Sequence, residues 1–198
     1  MTLDRFYPIF DDVRWLERML PLGVRLVQLR LKDRSEADIR DQLARGRALC
    51  AAQGAVLVVN DHWQAAIDLG CDWLHLGQED LDGADLRAIR RAGLRLGIST
   101  HDRAELDRAL ALGADYIALG PVWPTVLKVM KWHEQGVDRL TEWKRLAPDI
   151  PLVAIGGLSV ARAPQAFAAG ADIVSVVTDI TLSSDPEGRV RDWIGSTR

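Results

Sequence analysis

Gln28, Arg30 and Lys32 stand at every second position of the segment LVQLRLK. In an extended strand that spacing places all three side chains on one face. Two cations and an amide on a single buried face suit an anion with several oxygens, because they are costly to bury without one. The same period of two recurs elsewhere: Gly97, Ser99 and His101 in LGISTH, and His75 and Gly77 in WLHLG. Asn60 and Asp61 close VLVVNDH, and Asp80 follows in the acidic turn QED. Asp61 and Asp80 offer hard oxygen donors suited to Mg2+, which is held by one or two carboxylates together with substrate phosphates. Toward the C-terminus, AIGGL carries Gly156 and Gly157, and VVTDI carries Thr178. Such glycine and hydroxyl turns present backbone N–H groups to a phosphate. Between these regions lies GPVWPTVLK, whose Thr125 can face one anion and Lys128 the other. The chemistry implied is the holding of two separate phosphorylated groups, one of them with a divalent cation. Each residue alone has a plainer reading: Asp61, Asp80 or Ser99 could cap a helix, and a Gly-Gly pair also serves a tight turn.

The elements that must bring these residues together are legible as a rhythm. Short apolar, β-branched runs occur at 6–10, 26–31, 56–60, 73–77, 94–100, 116–120, 151–156 and 172–177. Stretches of helical character, such as SEADIRDQLARGRALCAAQG and DRAELDRALALG, lie between most of them. Gly54, Gly70, Gly93, Gly113 and Gly170 each stand where a left-handed cap would end a helix before the next strand. LGCDWLHLG, LGADYIALG and AGADIVSVV repeat one helix-to-strand unit. Eight strands alternating with helices predict a parallel sheet closed as a (β/α)8 barrel, one domain over residues 1–198. The length, 198 residues, sits at the lower end for that fold. An open doubly wound sheet would want a glycine-rich phosphate turn after its first strand, and FYPIFDDVRWLERM has no glycine. In the barrel, Val27, Leu29, Leu31, Leu94, Leu96 and Ile98 face the helices. The polar set faces inward at the C-terminal rim, where active sites of this fold are built. Glu79 falls out of step and is expected in solvent.

Composition narrows the function classes. A net charge of −3 with no basic run argues against nucleic acid. No apolar run is long enough to span a bilayer, and the N-terminal MTLDRFYPIFDD lacks the basic start and apolar core of a signal peptide. The expected location is the cytoplasm, with no membrane partner. Cys50 and Cys71 lack metal or redox spacing and are expected to be buried, reduced thiols. The tryptophans, among them Trp63, Trp123, Trp132 and Trp143, could fill a core, a lid or an interface, and a homo-oligomer is left open.

Taken in order, VQLRLKD, VNDH, HLGQEDL, LGISTH, DYIALGPVWPTVLK, VAIGGL and GADIVSVVTDI make the chain resemble the thiamine-phosphate synthase family over nearly its whole length. The resemblance implies a (β/α)8 transferase that joins a pyrimidine-methyl diphosphate to a thiazole phosphate and releases pyrophosphate. It implies that Gln28, Arg30, Lys32, Asn60, Ser99 and Lys128 hold the pyrimidine diphosphate, with Arg30, Lys32, Ser99 and Lys128 as the catalytic residues. By the same resemblance Asp61 and Asp80 bind Mg2+. Thr125 to Leu127, Gly157, Val177 and Thr178 would hold the thiazole phosphate. One position departs from the family pattern: Leu127 stands where a second threonine is usual. A hydroxyl bond lost there would cost about 1.5–3 kcal/mol if nothing replaced it. Lys131 and His133, in the following VMKWHEQG, are either phosphate contacts or part of a solvated loop. Residues 129–136 could close over substrate. Within the superfamily the alternative is a thiazole tautomerase using His101 as its acid–base group. Outside it, the alternatives are a non-catalytic barrel that binds thiamine precursors and another phosphate-handling barrel enzyme.

Overall fold

The structure, a computed structural model, describes residues 3–125 and 133–198. Its strands are β1 (Phe6–Phe10), β2 (Leu26–Leu29), β3 (Val56–Asn60), β4 (Trp73–Leu76), β5 (Arg95–Thr100), β6 (Tyr116–Leu119), β7 (Leu152–Ile155) and β8 (Ile173–Val176). They pair in parallel and in sequence order, and β8 returns to β1 through Tyr7 opposite Ser175. The expected closed (β/α)8 barrel is what forms. Several strands stop a residue or two short of their apolar runs, where the chain turns into the rim.

The helices that cross between strands are α1 (Val13–Met19), α2 (Glu36–Gln53), α3 (Trp63–Asp68), α4 (Gln78–Gly83) and α5 (Leu86–Arg91). They continue as α6 (Arg103–Ala111), α7 (Gly136–Leu146), α8 (Ala163–Ala168), α9 (Thr178–Thr181) and α10 (Pro186–Thr197). Local chemistry explains where they begin and end. Ser35 accepts the Asp38 N–H at 3.2 Å to start α2, and Asp102 accepts the Glu105 N–H at 2.9 Å to start α6. The five glycines expected to end helices all adopt positive φ, between 63° and 102°. The aspartate of the repeated helix-to-strand unit has a shared job in two of its three copies. Asp115 accepts the backbone N–H of Leu96 at 2.7 Å, and Asp172 accepts that of Leu152 at 2.8 Å. Each carboxylate thus satisfies an N–H at the start of the preceding strand, and Arg90 or Lys144 neutralises it. In the third copy Asp72 serves through its carbonyl, accepting from Arg95 N–H at 2.9 Å.

Two apolar layers result. The larger lies between sheet and helices and contains Val27, Leu29, Leu31, Leu94, Leu96 and Ile98, as strand alternation requires. Trp143 and Trp193 are fully buried in it. Trp143 donates its indole N–H to Thr100 Oγ1 at 2.9 Å, and Trp193 stacks on Phe6. The smaller layer fills the lower barrel with Tyr7, Leu26, Val58, Trp73, Tyr116, Val153 and Ile173. Gly97 makes room for Tyr116: a Cβ there would lie 2.0 Å from the tyrosine ring. The barrel is therefore plugged below and polar above. Cys50 and Cys71 are buried free thiols, and burial pushes the Cys50 thiol up to about 12. Trp132 lies outside the described residues.

Candidate active site

The C-terminal rim encloses a cavity of about 940 Å3. Arg30 and Lys32 enter it just beyond β2, Asn60 and Asp61 from the end of β3, Asp80 from α4, and Ser99 from β5. On the opposite wall stand Thr125, Gly157, Val177 and Thr178. Ten expected site residues thus share one space. Leu127 and Lys128 lie outside the described residues, as does Lys131. Gln28 is placed one layer lower: it is 2% exposed, does not line the cavity, and donates its amide to Tyr7 Oη at 2.7 Å. His133 is exposed beside Gln135.

The plainer readings of Asp61 and Ser99 do not hold. Helix α3 begins at His62 with no side-chain cap, α4 begins at Gly77, and α6 is capped by Asp102. Asp61 and Ser99 are thus free of N-cap duty, whereas the Asp80 carboxylate, in the first turn of α4, also meets the Gly77 backbone N–H at the start of that helix. Asp61 has φ 63°, a left-handed conformation that few non-glycine residues adopt, Asp and Asn most readily. Such strain persists where the surroundings demand it and gathers at functional sites. Here the Asp61 N–H is held by the His75 carbonyl at 3.0 Å. Its carboxylate pairs with Lys32 and also meets the Asp80 carboxyl group. Burial and the nearby Asp61 charge, bonded to it, raise the Asp80 pKa. Two carboxyl groups pressed together are a place where a cation relieves repulsion. Among the described residues no cluster of three or more His, Cys, Asp or Glu side chains forms. The donor set therefore suits a hard ion completed by substrate oxygens better than an all-protein cage.

The Arg30 guanidinium makes no ion pair with any described residue. An unpaired cation facing a cavity is an anion site in waiting. Behind it lies a polar column that alternation alone did not reveal: Tyr7, Tyr116 and His75 connect Gln28 to Ser99. Burial lowers the His75 pKa to about 4, opposed by the Asp61 charge and helped by Arg30. The Ser99 backbone carbonyl is pinned by the Gln78 amide at 2.7 Å, and Arg108 reaches both Gln78 and Asp82. His101 also lines the cavity, and its Nδ1 meets Glu105 Oε2 at 2.7 Å.

On the far wall the β6–α7 connection is zipped onto the end of β7. Val122 N–H donates to Ile155 O at 2.9 Å and Trp123 N–H to Gly156 O at 3.1 Å. The returning chain bonds back, Gln135 N–H to Pro121 O and Gly136 N–H to Val122 O. Gly157 has φ 64°, and a Cβ on it would lie 2.5 Å from the Pro124 carbonyl. That close approach sets Thr125 beside the β7 and β8 turns. Ser175, on β8 at the cavity floor, was missed by sequence reasoning. It is 1% exposed, and its hydroxyl has no hydrogen-bond partner among the described residues. The signal that could have found it is the inward phase of DIVSVV, which puts Ser175 in step with Val177.

Residues 6–180 match the family described as thiamine monophosphate synthase. The chain belongs to that family. A thiamine-phosphate synthase of Rhizobium etli is 58% identical over all of this chain and 97% of its own length. One from Klebsiella pneumoniae is 48% identical over 90% of this chain and 85% of its own. Among solved structures, a thiamine phosphate pyrophosphorylase from Pyrococcus furiosus superposes with a TM-score of 0.85 at 25% identity, covering 98% of this chain and 95% of that one. The chain is thus a transferase of the thiamine-phosphate synthase class, as the sequence motifs implied. Among the described residues, no helix is long and apolar enough to cross a membrane.

Proposed function

We propose that the two walls of the rim cavity divide the synthase reaction between them. The wall of β2 to β5 takes the pyrimidine-methyl diphosphate, and the wall of β6 to β8 takes the thiazole phosphate. The observation that supports this most directly is the one cavity that joins Arg30 and the Lys32–Asp61–Asp80 cluster to the glycine and hydroxyl turns at Gly157 and Thr178. Arg30, Lys32, Asn60, Ser99 and Lys128 would bind the diphosphate. Thr125, Leu127 through its backbone, Gly157, Val177 and Thr178 would bind the thiazole phosphate. Gln28 would support the first set from below.

Asp61 and Asp80 fit Mg2+, which when bound would neutralise charge on the departing pyrophosphate. Lys32, now paired with Asp61, would exchange that carboxylate for a diphosphate oxygen. Arg30, Lys32 and Lys128 then meet the negative charge that develops as the C–O bond to the methylene carbon breaks. The thiazole ring nitrogen supplies the electron pair for the new C–N bond, and pyrophosphate leaves. No protein base is needed, so positioning carries much of the acceleration. The buried thiols and the class of reaction suit a cytoplasmic location.

A single-turnover reaction with both phosphorylated precursors and Mg2+ tests the reading. Thiamine phosphate and pyrophosphate are expected in equal amounts, and chelation or Lys128→Ala should abolish both. Turnover would also show that Leu127 serves in place of a threonine. A pyrimidine diphosphate that binds without product formation would overturn the assignment of the second wall.

A further inference from the structure

The polar column inside the barrel has a direction. Gln28 Nε2 donates to Tyr7 Oη at 2.7 Å, and the Tyr7 and Tyr116 hydroxyls are 3.0 Å apart. Tyr116 Oη lies 2.8 Å from His75 Nδ1, and His75 Nε2 lies 2.8 Å from Ser99 Oγ. Gln28, Tyr7, Tyr116 and His75 are all at most 8% exposed. Water is therefore a poor substitute for any of these bonds, and a donor left unpaired costs about 1–3 kcal/mol.

Counting protons then orders the chain. A phenol has one proton to give, and a neutral imidazole donates from one nitrogen. The Tyr7 oxygen receives the Gln28 amide, so the Tyr7 proton goes to the Tyr116 oxygen, its remaining partner among the described residues. The Tyr116 proton goes in turn to His75 Nδ1. The ring proton of His75 must then sit on Nε2 and be given to Ser99 Oγ. Ser99 is left with its own proton free to donate upward into the cavity that it lines. A doubly protonated ring is excluded by the same count, because it would strand the Tyr116 proton.

We propose that Gln28, Tyr7, Tyr116 and His75 act as positioning residues that fix the Ser99 hydroxyl as a hydrogen-bond donor to an anionic oxygen in the cavity, the diphosphate under the reading above. A lone serine could rotate to donate or accept; this column removes the choice. It also gives Gln28 a role although it does not line the cavity. The purpose of the column rests on the proposed function, whereas its direction does not.

Nitrogen-15 spectra of histidine-labelled protein would read the direction without substrate, the His75 signals being assigned by their loss in His75→Gln. The Nε2–H tautomer is expected at neutral pH; an Nδ1–H ring or an imidazolium would overturn the proposal. Gln28→Glu, nearly isosteric, places an acceptor at the end of the column once the introduced carboxyl is ionised, which its carbon-13 shift reports. Every bond should then reverse, giving the Nδ1–H tautomer and turning the Ser99 proton inward. An unchanged tautomer beside an ionised carboxyl would also sink the idea. Inorganic pyrophosphate with Mg2+ serves as the probe of purpose. Ser99→Ala should weaken its binding about tenfold, Gln28→Glu by a similar factor, and the double variant by little more. Unweakened binding by Ser99→Ala, or fully additive losses, would reject the donor role. Neither readout requires turnover, so a failure of the synthase reaction would be seen separately.

Discussion

Asp61 and Asp80 show how much one residue's surroundings decide. Both are ordinary acidic residues in sequence, yet burial and mutual repulsion raise the Asp80 pKa, while Asp61 is held at positive φ against Lys32. Repulsion of this kind destabilises the protein unless a cation or proton sits between the carboxyl groups. Replacing Asp80 with Asn should therefore separate metal binding from folding. The metal-free variant should melt no lower than the parent. Under the proposed function Mg2+ should stabilise the parent, and in the variant that stabilisation should largely vanish, with apparent Mg2+ affinity falling by at least the roughly 10- to 100-fold typical of lost outer-sphere partners. Melting curves with and without Mg2+ check both halves. A variant that keeps full Mg2+ stabilisation would remove Asp80 from the cation site.

At the scale of elements, the rim works because turns from neighbouring strands touch backbone to backbone. Gly157 is where the β7 turn meets the β6 connection, with room for no Cβ beside the Pro124 carbonyl. Its φ of 64° adds roughly 1–2 kcal/mol of left-handed strain for any L side chain. Gly157→Ala should therefore push the Thr125 segment away from the β8 turn. We expect the KM for the thiazole phosphate to rise about tenfold, while the affinity for the pyrimidine diphosphate, which the proposed function assigns to the opposite wall, stays within twofold. Steady-state kinetics with each substrate varied in turn would decide it. Equal losses for both substrates would mean that the two walls do not act separately.

At the scale of the whole molecule, the barrel interior carries a pH liability. His75 is buried, and its pKa is lowered from 6.5 to about 4. The unfolded chain therefore binds a proton that the folded chain refuses. Stability from this residue is fully present above about pH 6.5 and is lost as pH falls toward 4. The loss approaches about 3 kcal/mol from this one group. A His75→Gln variant lacks the liability. Its denaturation free energy should lie below that of the parent at pH 7.5, and the gap should narrow or invert by pH 4.5. Urea titrations across that range test it, and a gap independent of pH would show that His75 does not titrate in the unfolded-to-folded balance.

Strand phase and glycine position were legible from the chain alone, because both are local: alternation is a property of the extended backbone, and a left-handed cap needs the residue without a Cβ. Hence LVQLRLK already told which side of β2 faces the cavity, and Gly54, Gly70, Gly93, Gly113 and Gly170 marked the helix ends. The ordered motifs likewise identified the family and most of the rim. What the linear chain could not show is depth along the barrel and pairing across it. Gln28 and Arg30 share a face, yet one lies under the cavity and the other lines it, a difference set by barrel tilt and stagger. Tyr7, Tyr116 and His75 are up to 109 residues apart; the two tyrosines read as unremarkable interior side chains, and the inward phase of His75 did not show what it would meet. Only closure of the sheet brings their polar atoms within hydrogen-bond range, and burial then forces each to find a partner.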